Sequence, residues 1–162
     1  MKQSLLIRPI APGEEQEIAL LVIRSFNDHV APHYSSEGVQ EFLRYADPGA
    51  MVRRAAAGHF VLVGEDAAKV IGMIEVRDYC HVSMLFVKGE HHRKGIARKL
   101  LQEALSICRR KRPDLVGVTV NASPNAIGAY ERLHFQSQGR EQTINGIRFT
   151  PMILQLGAEH DG

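Results

Sequence analysis

Cysteine is scarce in this chain, with Cys80 and Cys108 the only two in 162 residues. Two thiols are too few for a disulfide framework and suit a reducing compartment. Long apolar runs are missing too, and none approaches the roughly 20 residues needed to span a bilayer. The brief run Leu5–Ile7 behind Lys2 is cut by Arg8 and Pro9, well short of a signal-peptide core. Nor does one sign of charge dominate. Charged residues make up 23% and the formal net charge is +2, so no global field favours nucleic acid or a membrane surface. Repeats, low-complexity stretches and interdomain linkers are likewise absent. The expectation is one cytoplasmic domain over residues 1–162, long enough to bury a substantial core, with no nucleic-acid and no membrane partner.

The familiar glycine loops are also missing. A P-loop needs glycine, then lysine, then serine or threonine, whereas Lys94 precedes Gly95 here; the dinucleotide fingerprint needs three glycines, and one is available. What stands in their place is Leu85-Phe86-Val87-Lys88-Gly89-Glu90-His91-His92-Arg93-Lys94-Gly95-Ile96-Ala97. It reads as the end of an apolar strand, Val82–Val87, running through a polar turn into a glycine-marked helix start. Such a turn gathers unpaired backbone N–H groups and the positive end of a helix at one point, which suits a phosphate. With Arg93 and Lys94 in the turn, the expected ligand is a diphosphate. The same spacing also fits an ordinary strand-turn-helix whose glycine merely eases the turn. The helix itself is marked by Ala97, Leu100, Leu101, Ala104, Leu105 and Cys108 on one face, by the cations Arg109–Arg112 at its end, and by Pro113 as its stop. That basic run reads as a solvated helix end, with an RNA contact as its rival.

Elsewhere the pattern predicts a strand at Ser4–Ile10, a helix over Gly13–Phe26, a loop from Asn27 to Tyr34 and a second helix at Ser36–Tyr45. Asp47-Pro48-Gly49 reads as a turn, and Phe60–Glu65 and Val70–Arg77 as consecutive strands. Leu115–Asn121 is a strand, Ser123-Pro124 opens a helix running to about Leu133, and Asn145-Gly146 marks a hairpin between two last strands. This order describes an α/β (α+β) mixture with a mostly antiparallel sheet.

Two segments in this order resemble the GCN5-related N-acetyltransferase (GNAT) superfamily. Met84–Val87 with His92-Arg93-Lys94-Gly95-Ile96-Ala97 is similar to the family's central strand and its Gln/Arg-x-x-Gly-x-Gly/Ala turn for the coenzyme A pyrophosphate. Asn121-Ala122-Ser123-Pro124-Asn125-Ala126-Ile127-Gly128-Ala129-Tyr130-Glu131-Arg132-Leu133-His134-Phe135 resembles its Asn-Ala-x-x-x-Ala-x-x-x-Tyr-x-x-x-Gly-Phe region. The resemblance covers nearly the whole chain and implies a twisted sheet of about seven strands flanked by about four helices. Two residues depart from it. His92 stands where Gln or Arg is usual, and His134 replaces the glycine before Phe135, at a left-handed cap position where the change costs about 1 kcal/mol.

The resemblance implies an acetyl-CoA-dependent N-acetyltransferase acting by direct transfer to a primary amine. Acetyl-CoA is then the cosubstrate and no metal is required. The central strand would splay from its neighbour, so that the backbone of Phe86 and Val87, with Leu85 beside them, meets the acetyl carbonyl and the pantetheine arm. His92, Arg93, Lys94, Gly95, Ile96 and Ala97 would hold the pyrophosphate, and Asn125 would reach the pantetheine. Tyr130 would be the general acid, since a phenol is protonated at neutral pH; the plainer reading is that it only packs. The general base is left between His81, at the start of the central strand, and Glu75, with Ser83, Asp78 or a water chain behind them. The acceptor wall would draw on His29, His33, Tyr34, Glu37, Arg140, Glu141 and Arg148, a mixed set that names no substrate. A homodimer is a further expectation from the family. His91-His92 has no ligand partner at metal-binding spacing. Two rivals stay open: a non-catalytic acyl-CoA-binding sensor or interaction module on the same fold, and a nucleotide-binding regulatory domain.

Overall fold

The computed structural model describes residues 5–157. Eight strands form a sheet in the order β1-β2-β3-β4-β5-β8-β6, with β7 paired to β8. They span Leu6–Pro9 (β1), His59–Asp66 (β2), Lys69–Arg77 (β3), His81–Val87 (β4), Gly117–Ala122 (β5), Gln136–Ser137 (β6), Gln142–Ile144 (β7) and Ile147–Gln155 (β8). All pairings are antiparallel except β4 with β5. Five α-helices accompany them: Glu15–His29 (α1), Ser36–Tyr45 (α2), Pro48–Ala55 (α3), Ile96–Lys111 (α4) and Ile127–Arg132 (α5).

Each face of the sheet carries its own core. On one, the stripe Ile96, Leu100, Leu101, Ala104 and Cys108 of α4 packs on Leu62, Ile71, Ile74 and Val87, with Tyr130 and Phe135 at the edge. On the other, Ile18, Leu21 and Val22 of α1 and Met51 of α3 cover Val61, Val63, Met73 and Met84. Strands β2, β3 and β4 are buried on both sides, which is why they read as near-continuous apolar runs rather than alternating ones.

Three local readings are corrected. Asp47-Pro48-Gly49 is a helix start, not a free turn: the Asp47 carboxylate accepts from Ala50 N–H (3.1 Å), and Pro48 takes a first-turn position where its missing donor costs nothing. This makes α3 the fifth helix. The stretch expected as a loop after Phe26 instead carries α1 to His29 and continues as a 3-10 turn at Ala31–His33. The helix after Ser123 begins as a 3-10 turn, Pro124–Ala126, and Ser123 Oγ turns to Asn125 Oδ1 (2.8 Å) instead of capping the backbone. The short β6 brings the strand number to eight.

One irregularity shapes the site. Met84 lies opposite Glu75, but Val82 lies opposite Val76, so Ser83 is an extra residue, a β-bulge in β4. The bulge flips the alternation, sending Val82 to the α4 side and Met84 to the α1 side.

Candidate active site

β4 leaves β5 almost at once. The two strands pair only at His81–Thr119 and Val82–Val120, so the rest of β4 has an open edge on that side. On the other edge, Lys88 N–H donates to the Ile71 carbonyl (2.8 Å). By strand alternation the N–H groups of Phe86 and Met84 also go to β3, while those of Leu85 and Val87 face the gap. The expected free pair, Phe86 and Val87, is therefore shifted to Leu85 and Val87. The Val87 carbonyl on the same edge accepts from His92 Nε2 (2.7 Å).

The turn after β4 is built for close approach. Gly89–His91 is a 3-10 turn, His92 is extended, and Arg93 and Gly95 both take the left-handed conformation, φ +66° and +78°. A Cβ at Gly95 would meet nothing within 4 Å, so glycine is favoured there by its backbone angle and not by crowding. The N–H groups of Arg93 through Arg98, six in all, have no acceptor among the described residues. Arg93 and Arg98 line the cleft beside them, and Lys94 does not. Arg98 escaped the sequence reading, although its place in the first turn of α4, three residues after Gly95, is the signal that identifies it.

The cleft holds about 1090 Å3 between the open edge of β4, the start of α4, α5, the end of α1, α2 and β8. Leu85, Phe86, Val87, His92, Ile96, Ala97, Asn125, Tyr130 and His81 all line it. Tyr130 is 8% exposed, its ring edge-on to Phe135 at 5.3 Å. Its hydroxyl has no hydrogen-bond partner among the described residues, and burial alone pushes its pKa well above the ordinary phenol value. His134, in the turn after α5, takes φ +76°, the left-handed position where glycine is usual.

The two candidate bases part company. His81 is buried, with Nδ1 2.7 Å from Thr119 Oγ1. When Nδ1–H donates to that hydroxyl, Nε2 is left as the acceptor. Burial, with Arg77 and then His59 adding to it, pulls the pKa of His81 down to about 4, so the ring is neutral across the physiological range. Glu75 is fully buried and does not line the cleft. Arg54 clamps it with two bonds (Nε–Oε2 2.6 Å, Nη2–Oε1 3.0 Å), and His59 Nδ1 reaches Oε2 at 2.6 Å. Arg54 also lies over the Tyr45 ring at 3.6 Å and donates to the Tyr45 carbonyl (2.6 Å). Glu75 is thus a structural anion behind the site, and its side chain is not brought to the reacting groups.

Of the expected acceptor-wall residues, His29, His33 and Tyr34 line the cleft, whereas Glu37, Arg140, Glu141 and Arg148 do not. Arg148 is spent on Glu141 (2.9 Å) and on the His33 carbonyl (3.1 Å). The wall is closed by the Asn145-Gly146 turn, which packs backbone to backbone on Gly38 of α2; a Cβ on either glycine would clash with the other's main chain. Phe26, Phe42, Tyr45 and Phe149 complete it. Among the described residues no group of three or more His, Cys, Asp or Glu is placed to hold a metal, and no helix is long and apolar enough to cross a membrane.

A family model for the acetyltransferase (GNAT) domain matches residues 30–156. The chain is 25% identical over 158 residues to the uncharacterised N-acetyltransferase YafP of Escherichia coli K12, covering 97% of this chain and 99% of that one. Among solved structures it is similar to a GCN5-related N-acetyltransferase of Rhodopseudomonas palustris (TM-score 0.81, 19% identity, 96% of this chain and 99% of that one). It is also similar to PaiA N-acetyltransferase of Thermoplasma acidophilum, solved with coenzyme A (0.74, 20% identity, 94% and 99%). A dodecameric spermidine N-acetyltransferase of Vibrio cholerae matches at 0.61, with 21% identity over 94% of each chain.

Proposed function

Because the chain belongs to the GNAT family of acetyltransferases, we propose that it carries an acetyl group from acetyl-CoA directly to a primary amine, with no acetyl-enzyme intermediate. One observation carries this reading: a run of six unpartnered N–H groups at a helix start, five of whose residues line the cleft, faces the same cleft as two free strand N–H groups and a partnerless tyrosine hydroxyl. A solved relative of this fold holds coenzyme A.

The turn from Arg93 to Arg98 fits a diphosphate. Its donors, the helix dipole and the two guanidiniums of Arg93 and Arg98 all favour anionic oxygens. Asn125, at the other lip of the cleft, serves the pantetheine arm. The N–H groups of Leu85 and Val87 receive the thioester carbonyl oxygen and strengthen their hold as it becomes an oxyanion, a contribution of about 3–4 kcal/mol for such a donor.

The neutral amine attacks the carbonyl carbon; a C–N bond forms and the C–S bond breaks, with its electron pair passing to sulfur. The nitrogen loses its extra proton to His81 Nε2 and on to solvent. Tyr130 gives its phenolic proton to the departing sulfur and recovers one from solvent. The raised pKa of Tyr130 keeps it a donor at every working pH, so its hydrogen bond is in place when the sulfur gains charge. Both cysteines are free, consistent with the cytoplasmic location included in this proposal.

The test is to incubate the protein with acetyl-CoA and a panel of amines and follow release of the coenzyme A thiol. Thiol release matched by acetylated amine supports transfer. Acetyl-CoA binding with no release across the panel would replace it with the non-catalytic acyl-CoA sensor.

A further inference from the structure

Aromatic residues are few here, ten Phe and Tyr and no Trp, yet seven of the ten line the cleft. Tyr130 stands on the donor side. The other six, Phe26, Tyr34, Phe42, Tyr45, Phe86 and Phe149, come from α1, the segment after it, α2, β4 and β8, and form the opposite arm. Four of them touch one another as a panelled surface: Phe42 stacks on Phe26 with centroids 4.1 Å apart, and Tyr34 and Phe86 stand edge-on to this pair at 5.6 and 6.0 Å, while Tyr45 and Phe149 line the cleft beside them. Phe26 is sealed, but the other five keep part of their surface open.

Core packing alone accounts for Phe26 and leaves the open rings of the rest unexplained. Charge narrows the occupant further. The carboxylates lining the cleft are Asp28 and Glu41, and Glu41 is taken up by Arg44 at 2.7 Å. A polyamine carries further ammonium groups that need anions, and this arm offers one unengaged carboxylate. Arg77, which also lines the cleft, opposes a second cation.

We infer that the acceptor is a primary amine on a flat aromatic body, held by offset and edge-on contacts with this wall while its nitrogen reaches the open edge of β4. Aromatic pairs prefer these geometries, and such a wall discriminates by ring contact rather than by charge. The inference rests on the acetyl-transfer reading above.

Steady-state rates of coenzyme A release should be compared for 2-phenylethylamine and tryptamine against n-butylamine and spermidine, on the intact protein and on Phe149→Leu and Phe42→Leu. The expected result is a kcat/KM at least about tenfold higher for the two aromatic amines, the scale of discrimination an apolar pocket achieves. Either leucine variant that folds should shrink that ratio while leaving KM for acetyl-CoA unchanged. Equal or better use of spermidine or butylamine would overturn the aromatic acceptor and leave acetyl transfer standing. A preference untouched in the folded variants would overturn the assignment to this wall. No turnover of any of the four amines, with acetyl-CoA bound, would overturn the inference together with the reading beneath it.

Discussion

His92 Nε2 donates to the carbonyl oxygen of Val87 across 2.7 Å, tying the last residue of β4 to the turn that follows it. This bond couples the two halves of the proposed donor site, because Val87 supplies a free N–H at the strand edge and His92, its own N–H bonded to the Gly89 carbonyl (3.1 Å), immediately precedes the run of unpartnered N–H groups. A histidine where the family more often has Gln or Arg thus keeps a side-chain donor at the position. Removing it as His92→Ala should loosen the turn and raise KM for acetyl-CoA about tenfold, equivalent to about 1.4 kcal/mol. His92→Gln, which restores an N–H donor, should recover most of the loss. Equal KM values in all three proteins would show that the bond does not set the turn.

Glu75 and His81 test opposite assignments for two buried groups. Glu75 has both oxygens committed to Arg54 and His59. Its truncation to alanine strands the Arg54 guanidinium, 14% exposed, without its anion, and should cost about 3–5 kcal/mol in urea unfolding. The milder Glu75→Gln should keep kcat within about threefold once corrected for the folded fraction, the outcome for a group that only supports the site. A hundredfold fall in kcat in the folded variant would restore Glu75 as the base.

Protonation of His81 should be visible in stability before it is visible in rate. Its folded pKa, near 4, lies below the unfolded value of about 6.5, so the unfolded chain takes up a proton that the folded chain refuses. Stability from this group is complete above pH 6.5 and lost as pH falls toward 4, by about 2–3 kcal/mol, discounted for the ring's partial solvent contact. Urea melts from pH 7 to 4 should show this slope in the parent protein and a shallower one in His81→Gln. For the same reason the fall in kcat/KM from pH 9 to 6 should follow protonation of the free amine substrate and shift with that amine's own pKa, with no limb near pH 6.5 from His81.

How far the sequence could be read depended on how local each feature is. The α4 stripe, the apolar β4 and the Asn145-Gly146 hairpin are local patterns, and each appears where the residues put it. Asp47-Pro48-Gly49 was ambiguous because a carboxylate followed by proline serves a turn and a helix start equally well, and the capping bond to Ala50 decides between them. The bulge at Ser83 could not be read, since β4 is apolar on both faces and has no alternation for an extra residue to break, so only pairing with β3 exposes it. Nor could the commitment of Glu75, which depends on Arg54 from α3 and His59 from β2 meeting it in the core. The turn from β4 into α4 was legible because its residues are consecutive. The aromatic wall was not, because five separate segments assemble it.

Tyr130 is the proposed general acid, and Tyr130→Phe is the smallest change that tests it: one oxygen is removed while the ring remains against Phe135. The decisive measurement is single-turnover acetyl transfer by this variant, paired with calorimetric titration of acetyl-CoA. The expected rate constant is lower by about 100-fold or more, in the range for loss of a positioned proton donor, with the acetyl-CoA dissociation constant unchanged. A variant that transfers acetyl at the parent rate would contradict it.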